Sequence, residues 1–320
     1  MLSVHLDSGR VQVRKEPLPR IPKGFARIRL LAGGICSTDL ELQRGYYGFS
    51  GTPGHEFVGE VTAVEDESAA NWIGKRVVGE INLACGKCEW CSRGLGRHCP
   101  RRTVLGIVKH PGAFREFLTL PIENLHRVPA SVSSEQAVFV EPVAAACEIL
   151  DQVRIPKGDP VAVLGDGKLG LLVAQVLQAR GARVHLFGRH WEKMRIVEPA
   201  GVTTELVPKN LPRASYRWVV DATGSNEGLQ AAIALCQPRG TIIMKSTVHG
   251  LVTFDSAPVI VNEVTLVGSR CGRFQPALAL LSAHRLRVGE LISEHFPLAQ
   301  AQQAFRRAAQ KGVLKVLLHP

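Results

Sequence analysis

The chain has 320 residues, 45% of them hydrophobic and 21% charged. That length exceeds one ordinary core and suits two domains, and the composition is that of a folded globular protein. The formal net charge is +11, but Lys and Arg are spread along the chain, and the densest spots, Arg101-Arg102 and Arg306-Arg307, are short. No stripe of basic and aromatic residues supports nucleic-acid binding, so an anionic cofactor and a solvated surface are the expected uses of the charge. No apolar run approaches the roughly 20 residues that span a bilayer, so no membrane contact is expected. The start, Met1-Leu2-Ser3-Val4-His5-Leu6-Asp7, lacks the basic and apolar regions of a signal peptide, which points to the cytoplasm.

The first 125 residues contain short β-like runs broken by Gly and Pro, such as Ala26–Leu31 and Phe57–Val64, and predict an all-β or mixed domain. The pattern changes after about residue 142. Val161-Ala162-Val163-Leu164 is a buried-type strand ending in glycines, Leu169 to Arg180 a helix stopped by Gly181, and Val184-His185-Leu186-Phe187 a second strand. A short helix from Trp191 to Pro199 follows, then strands at Trp218-Val219-Val220, Thr241-Ile242-Ile243-Met244 and Val264-Thr265-Leu266-Val267. Strands alternating with helices imply an α/β fold with a parallel, doubly wound sheet. The tail predicts helices at Pro276–His284 and Leu298–Gln310, then a strand at Val313–Leu318 able to rejoin the first domain. The expected division is therefore 1–142 with 268–320, and 143–267.

Eight cysteines are present, four of them within residues 85–99. Cys85, Cys88, Cys91 and Cys99 stand as C-x2-C-x2-C-x7-C, with Gly86, Gly94 and Gly96 to allow tight turns. In a reducing compartment such spacing reads as metal binding rather than disulfides. Four thiolates complete a tetrahedron and leave no open position, so a zinc held there is structural; an iron–sulfur cluster or unrelated thiols are the rival readings.

Cys36, His55, Glu56 and Glu141 are far apart but share suggestive contexts. Cys36 is followed by Ser37, Thr38 and Asp39; His55-Glu56 follows a Pro53-Gly54 turn; Glu141 precedes Pro142 at the edge of the second domain. Gly165-Asp166-Gly167-Lys168-Leu169-Gly170 is a G-x-G-x-x-G that follows a strand and opens a helix, the context a dinucleotide site requires. Helix N–H groups would meet the cofactor phosphates. The second strand then ends at Phe187, where NAD enzymes usually carry an acidic residue for the ribose 2′-hydroxyl. This chain has Gly188, Arg189 and His190, with Lys193 nearby. A guanidinium attracts a 2′-phosphate that a carboxylate would repel, so NADP(H) is expected over NAD(H). Thr223, in Val220–Gly224, and Lys245-Ser246-Thr247 end strands of this domain and are expected along the nicotinamide half.

These motifs together resemble the zinc-containing medium-chain dehydrogenases, particularly the sorbitol and threonine dehydrogenase branch, over nearly the whole chain. The resemblance rests on residues 34–39 and 53–56, the four-cysteine lobe, Gly-Ala-Phe-Arg-Glu-Phe at 112–117, Glu141-Pro142 and the glycine fingerprint. It implies a GroES-like β-rich catalytic domain, a Rossmann domain, and a homodimer or homotetramer. It also implies a catalytic zinc on Cys36, His55 and Glu141, with Glu56 as a neighbouring or alternate ligand. The alcohol branch usually has cysteine where Glu141 stands, so the glutamate favours the polyol-like branch. Asp39 would hydrogen-bond His55, Thr38 would be the proton-relay hydroxyl, and Arg270 would lie near cofactor and substrate. The family often has histidine where this chain has Glu41, which leaves the outward proton path open. Tyr46, Tyr47 and Phe49 could wall the pocket or pack in the core.

The implied reaction moves a hydride between a small alcohol or polyol, or its ketone or aldehyde, and the cofactor, with zinc as Lewis acid. Two rivals remain: a zinc-independent enoyl or quinone reductase of the same fold, and a non-enzymatic NADPH-binding zinc protein.

Overall fold

A computed structural model describes residues 1–209, 211–247 and 251–320, and describes Tyr47 by its backbone alone. The chain divides into two compact units, Met1–Glu141 with Ile292–Pro320, and Pro142–Leu291.

The first unit is β-rich. A hairpin, Leu2–Asp7 with Arg10–Lys15, precedes a seven-stranded sheet. The sheet runs in the order Leu125–Arg127, Arg76–Gly79, Glu56–Val64, Phe25–Gly34, Lys315–His319, Ile292–Pro297, with Phe117–Pro121 also paired to Phe25–Gly34. Strand Phe25–Gly34 begins by alternating: Ala26, Ile28 and Leu30 are buried, while Arg27 and Arg29 point away. It ends on Ala32-Gly33-Gly34, buried throughout. Period-two patterning thus marks a sheet with one wet face, and its loss marks the end covered on both sides. The closing strand does rejoin this unit: Lys315–His319 pairs antiparallel with Phe25–Gly34, Leu317 facing Gly34 and Leu318 facing Gly33.

The second unit holds six strands, all parallel, in the order Thr203–Leu206, Arg183–Gly188, Pro160–Leu164, Tyr216–Asp221, Cys236–Met244, Thr265–Gly268. Numbered along the chain this is 3-2-1-4-5-6, the doubly wound order. Val161–Leu164 is wholly buried, as a central parallel strand should be. Thr203–Leu206 lies at the sheet edge with little burial, so it carries no apolar run and no sequence signal. Helix Lys168–Ala179 buries Gly170 through Leu177 and packs on strands Arg183–Gly188 and Pro160–Leu164.

The return to the first unit comes at residue 292 rather than the expected 268. Segment 268–291 is tied into the second unit. Helix Phe274–Ser282 buries Phe274, Ala277, Leu278, Leu280 and Leu281. The Arg273 guanidinium forks onto Asp151 at 3.0 Å, and Gln152 donates to the Gly268 carbonyl at 3.0 Å.

Candidate metal centres and cofactor loop

The cysteine lobe is closed at its base by antiparallel strands Asn82–Leu83 and Thr103–Leu105. Between them, a one-turn helix at Glu89–Ser92 and a 3-10 turn at Gly96–His98 bend the chain. All four Sγ atoms lie within 4.8 Å of one another. The Cys88 sulfur is 3.4 Å from Cys91 and 3.6 Å from Cys99, and Cys85 is 4.0 Å from Cys91. Four sulfurs around one zinc at about 2.3 Å would sit about 3.8 Å apart, so the spacing fits that ion. Thiols this close cannot all ionise alone. The Lys87 main-chain N–H pulls Cys85 down to about 6, while desolvation and Cys88 push Cys91 up to about 11. A divalent cation is what reconciles four thiolates.

The second constellation depends on sheet register. Gly34 pairs with Glu56 across antiparallel strands, which brings Cys36, just beyond one strand, against His55, just before the other. Ligand atoms of Cys36, His55 and Glu56 lie within 4.8 Å of one another. The turn ahead of His55 is held by the 112–114 segment, whose N–H groups donate to the carbonyls of Thr52, Gly54 and Pro53. Gly54 has φ +101°, and a Cβ there would strike the Phe114 ring, which explains why these two motifs occur together.

Asp39 is fully buried and braces both halves. Its carboxylate accepts from the Cys36 N–H at 2.8 Å and from the Gly54 N–H at 3.1 Å. The expected hydrogen bond to His55 is instead a 3.4 Å contact with Nδ1, which has no hydrogen-bond partner despite its burial. Burial alone would lower the imidazole pKa, but Asp39 and Cys36 outweigh it and raise the value well above the usual one. A thiol, a carboxylate and a buried imidazole form a donor set suited to zinc. Thr38 Oγ1 lies 3.7 Å from the Cys36 sulfur, and Glu41 is paired with Arg44 at 2.5 Å.

Glu141 lies half-buried in the first turn of helix Val140–Gln152, outside the Cys36–His55–Glu56 cluster. Tyr46 starts a 3-10 turn at Tyr46–Gly48, Phe49 is half-buried, and the Tyr47 side chain lies outside the described residues.

Sequence reading missed Lys315. Its ammonium ion-pairs with Glu56, and both side chains are 1% exposed. Burial opposes a charged lysine, but Glu56 and, behind it, Cys36 raise its pKa. A Cβ on Gly34 would meet Val138 Cγ1 at 2.7 Å, Glu56 Oε2 at 2.9 Å and Lys315 Cδ at 3.2 Å, so glycine is required beside the pair. The available signal was one cation within the apolar run Val313–Leu318.

In the second unit the glycine fingerprint turns from strand Pro160–Leu164 into helix Lys168–Ala179. Gly170 touches the Gly165 carbonyl so closely that a Cβ would stand 1.9 Å from it. Gly167, at the helix N-cap, has open space on its Cβ side. Close packing at one glycine and an open main-chain cradle at another is what a bound pyrophosphate needs. Gly188, Arg189 and His190 end the second strand beside this loop, and Lys193 lies on the short helix Trp191–Met194. Thr223 donates from Oγ1 and its N–H to Asp221. Lys245 does not point outward: it is buried and donates to Ser269 Oγ and the Arg270 carbonyl, fastening two strand ends.

Residues 22–130 match the alcohol dehydrogenase GroES-like domain and residues 169–283 the zinc-binding dehydrogenase family. The chain is 27% identical to a sorbitol dehydrogenase of Halalkalibacterium halodurans, covering 98% of this chain and 96% of that one. It is 29% identical to a D-altritol 5-dehydrogenase of Agrobacterium fabrum, covering 97% of each. Among solved structures, alcohol dehydrogenase TADH from Thermus sp. ATN1 superposes with a TM-score of 0.89 at 29% identity, over 100% of both chains. A Sinorhizobium meliloti structure bound to NADP gives 0.89 at 26% identity, over 100% of this chain and 99% of that one. With both domains matched in order and the likeness running end to end, the chain belongs to the zinc-binding medium-chain alcohol dehydrogenase family and is an enzyme of that kind.

Proposed function

We propose that this enzyme oxidises a small alcohol or polyol, or reduces its ketone or aldehyde, with one catalytic zinc, one structural zinc and NADP(H) in preference to NAD(H). The carrying observation is the convergence of ligand atoms of Cys36, His55 and Glu56 to within 4.8 Å of one another, with His55 and Glu56 buried and Cys36 half-buried. When bound, zinc supplies Lewis acidity to the substrate oxygen and the nicotinamide accepts or delivers the hydride.

The chain's own residues do the rest. Cys36 and His55 hold the metal, with Glu141 or Glu56 completing the set. Glu56 is engaged by Lys315, which favours its role as alternate ligand and leaves Glu141 as the third. Asp39 fixes the separation of Cys36 and the His55 turn by bonding the main chain on both sides. Thr38 Oγ1, beside the Cys36 sulfur, takes or returns the hydroxyl proton. Glu41 is paired with Arg44, which favours water over that carboxylate as the proton's way out from Thr38. The Cys85–Cys99 lobe holds its zinc for folding. Arg189, His190 and Lys193 attract the 2′-phosphate, and Arg270 takes the place that the resemblance implies near cofactor and substrate.

A homodimer or homotetramer is part of this reading. Strand Thr265–Gly268 ends its sheet, and Leu251, Ile260 and Val261 beside it in sequence are 93%, 72% and 78% exposed. Among the described residues, no helix is long and apolar enough to cross a membrane; the thiolate-rich lobe suits the reducing cytoplasm.

The test is metal analysis beside a panel of alcohols, polyols and ketones with each nicotinamide cofactor. About two zinc ions per chain and turnover of a polyol or alcohol support the proposal. A metal-free protein that reduces enoyl or quinone substrates refutes it in favour of the zinc-independent reductase. Failure on the whole panel refutes the proposed substrate class.

A further inference from the structure

The end of the second strand holds a carboxylate after all, delivered from elsewhere. A Cβ built on Gly188 would meet Asp166 Cβ at 2.7 Å, Asp166 Oδ2 at 2.9 Å and Met194 Sδ at 2.5 Å. The space that a strand-end acidic side chain would enter is therefore filled by the second residue of the glycine fingerprint. Asp166 is 8% exposed. Its Oδ2 accepts from the Arg189 N–H at 2.7 Å and the His190 N–H at 2.5 Å, and lies 3.0 Å from His190 Nδ1. Burial would raise its pKa, but the two N–H groups and the His190 ring outweigh burial and hold the carboxyl below its ordinary range.

We propose that Asp166 is the positioning residue for cofactor selectivity: by occupying the Gly188 slot and accepting from Arg189 and His190, it fixes a turn that offers cations rather than a carboxylate to the cofactor's 2′ position. This rests on the NADP(H) reading above. The physical contrast is in where the charge is used. A carboxylate on Gly188 would have open lone pairs for a ribose 2′-hydroxyl and would repel a 2′-phosphate. Asp166 Oδ2 is already engaged by two main-chain N–H groups and lies against His190 Nδ1, and its charge is offset by those hydrogen bonds at the main chain. Both Arg189 and His190 remain exposed, with the turn beneath them pinned. With its main chain pinned, Arg189 loses less freedom when its guanidinium grips a phosphate.

The test needs no turnover. The zinc-loaded full-length protein is titrated calorimetrically with 2′,5′-ADP, which carries the 2′-phosphate, and with 5′-ADP, which lacks it. Wild-type protein should bind 2′,5′-ADP about tenfold or more tighter than 5′-ADP. Asp166→Ala should abolish that preference, weakening 2′,5′-ADP at least about tenfold more than 5′-ADP. Asp166→Asn, whose amide oxygen still accepts from the turn, should keep the preference to within about threefold. The exchange Asp166→Gly with Gly188→Asp returns the acid to the strand end and should reverse the preference, and it covers the case in which Asp166→Ala does not fold. Equal weakening of both probes in Asp166→Ala, tighter 2′,5′-ADP binding in that variant, an Asn variant as impaired as Ala, or an exchange variant that still prefers 2′,5′-ADP would each overturn the inference alone. A wild-type preference for 5′-ADP would overturn the cofactor reading and this inference with it.

Discussion

The two candidate metal constellations are built in opposite ways. The Cys85–Cys99 lobe takes all its candidate ligands from fifteen consecutive residues, three of them half-exposed, and its sulfurs meet nearby N–H groups and Arg101. The Cys36 cluster joins residues 36, 55, 56 and, through its ion pair, 315, and its acid, base and cation are almost wholly buried. The lobe depends on loop geometry. The cluster depends on sheet register, on Asp39 bridging two main-chain segments, and on a charge pair that must be complete to be tolerated in the interior. Changes at the lobe should therefore be read in stability, and changes at the cluster should separate activity from stability residue by residue.

The largest effect should come from Cys36→Ser. Asp39 holds the Cys36 main-chain N–H, not its sulfur, so the local backbone should persist. We expect kcat/KM to fall at least about a thousandfold, roughly 4 kcal/mol, with little change in melting temperature. Comparable losses in both would erase the contrast with the lobe.

Lys315→Met should come next. It leaves Glu56 charged and buried without its partner, and a cost of about 3–5 kcal/mol in chemical unfolding is expected. Adding Glu56→Gln should recover most of that stability while activity stays low. A double variant as unstable as the single would show that packing, not charge, is the cause.

Cys88→Ser should lower bound zinc by about one equivalent and melting temperature by about 5 °C or more, because structural metal contributes folding free energy. Unchanged zinc content would separate the lobe from any metal role.

The smallest effect is pH-linked. Asp166 has a lowered pKa when folded, so its stabilisation is present above the ordinary carboxylate value of about 3.9 and is lost as pH falls through the lowered value. Asp166→Asn should melt about 1–2 °C below wild type at neutral pH, with the gap closing below pH of about 4. A gap that widens on acidification would contradict the sign of that shift.

Legibility followed the same division. The lobe, the fingerprint and the buried strands could be read directly, because each is a short-range pattern: thiols at turn spacing, glycines between strand and helix, apolar runs. The edge strand Thr203–Leu206 could not, because exposure removes the pattern. The domain return was set too early, at 268, because helix Phe274–Ser282 has an apolar face whose partner the sequence does not name. Asp166 stood in plain view between two glycines, yet its use was hidden. Only the pairing of strands Pro160–Leu164 and Arg183–Gly188 sets its carboxylate under residues 188–190. Asp39 was expected on His55, and its stronger bonds proved to be to the main chain.

By itself, the sequence determined the family, the order of its two folds, the cysteine lobe and the glycine turn between strand and helix. All of these are written in residues close enough in the chain for spacing to dictate geometry. Only the tertiary structure decided that Lys315 closes the Glu56 site from 259 positions away and that Gly188 is bare because Asp166 fills its place. Those are contacts between strands, and register rather than sequence distance chooses which side chains meet.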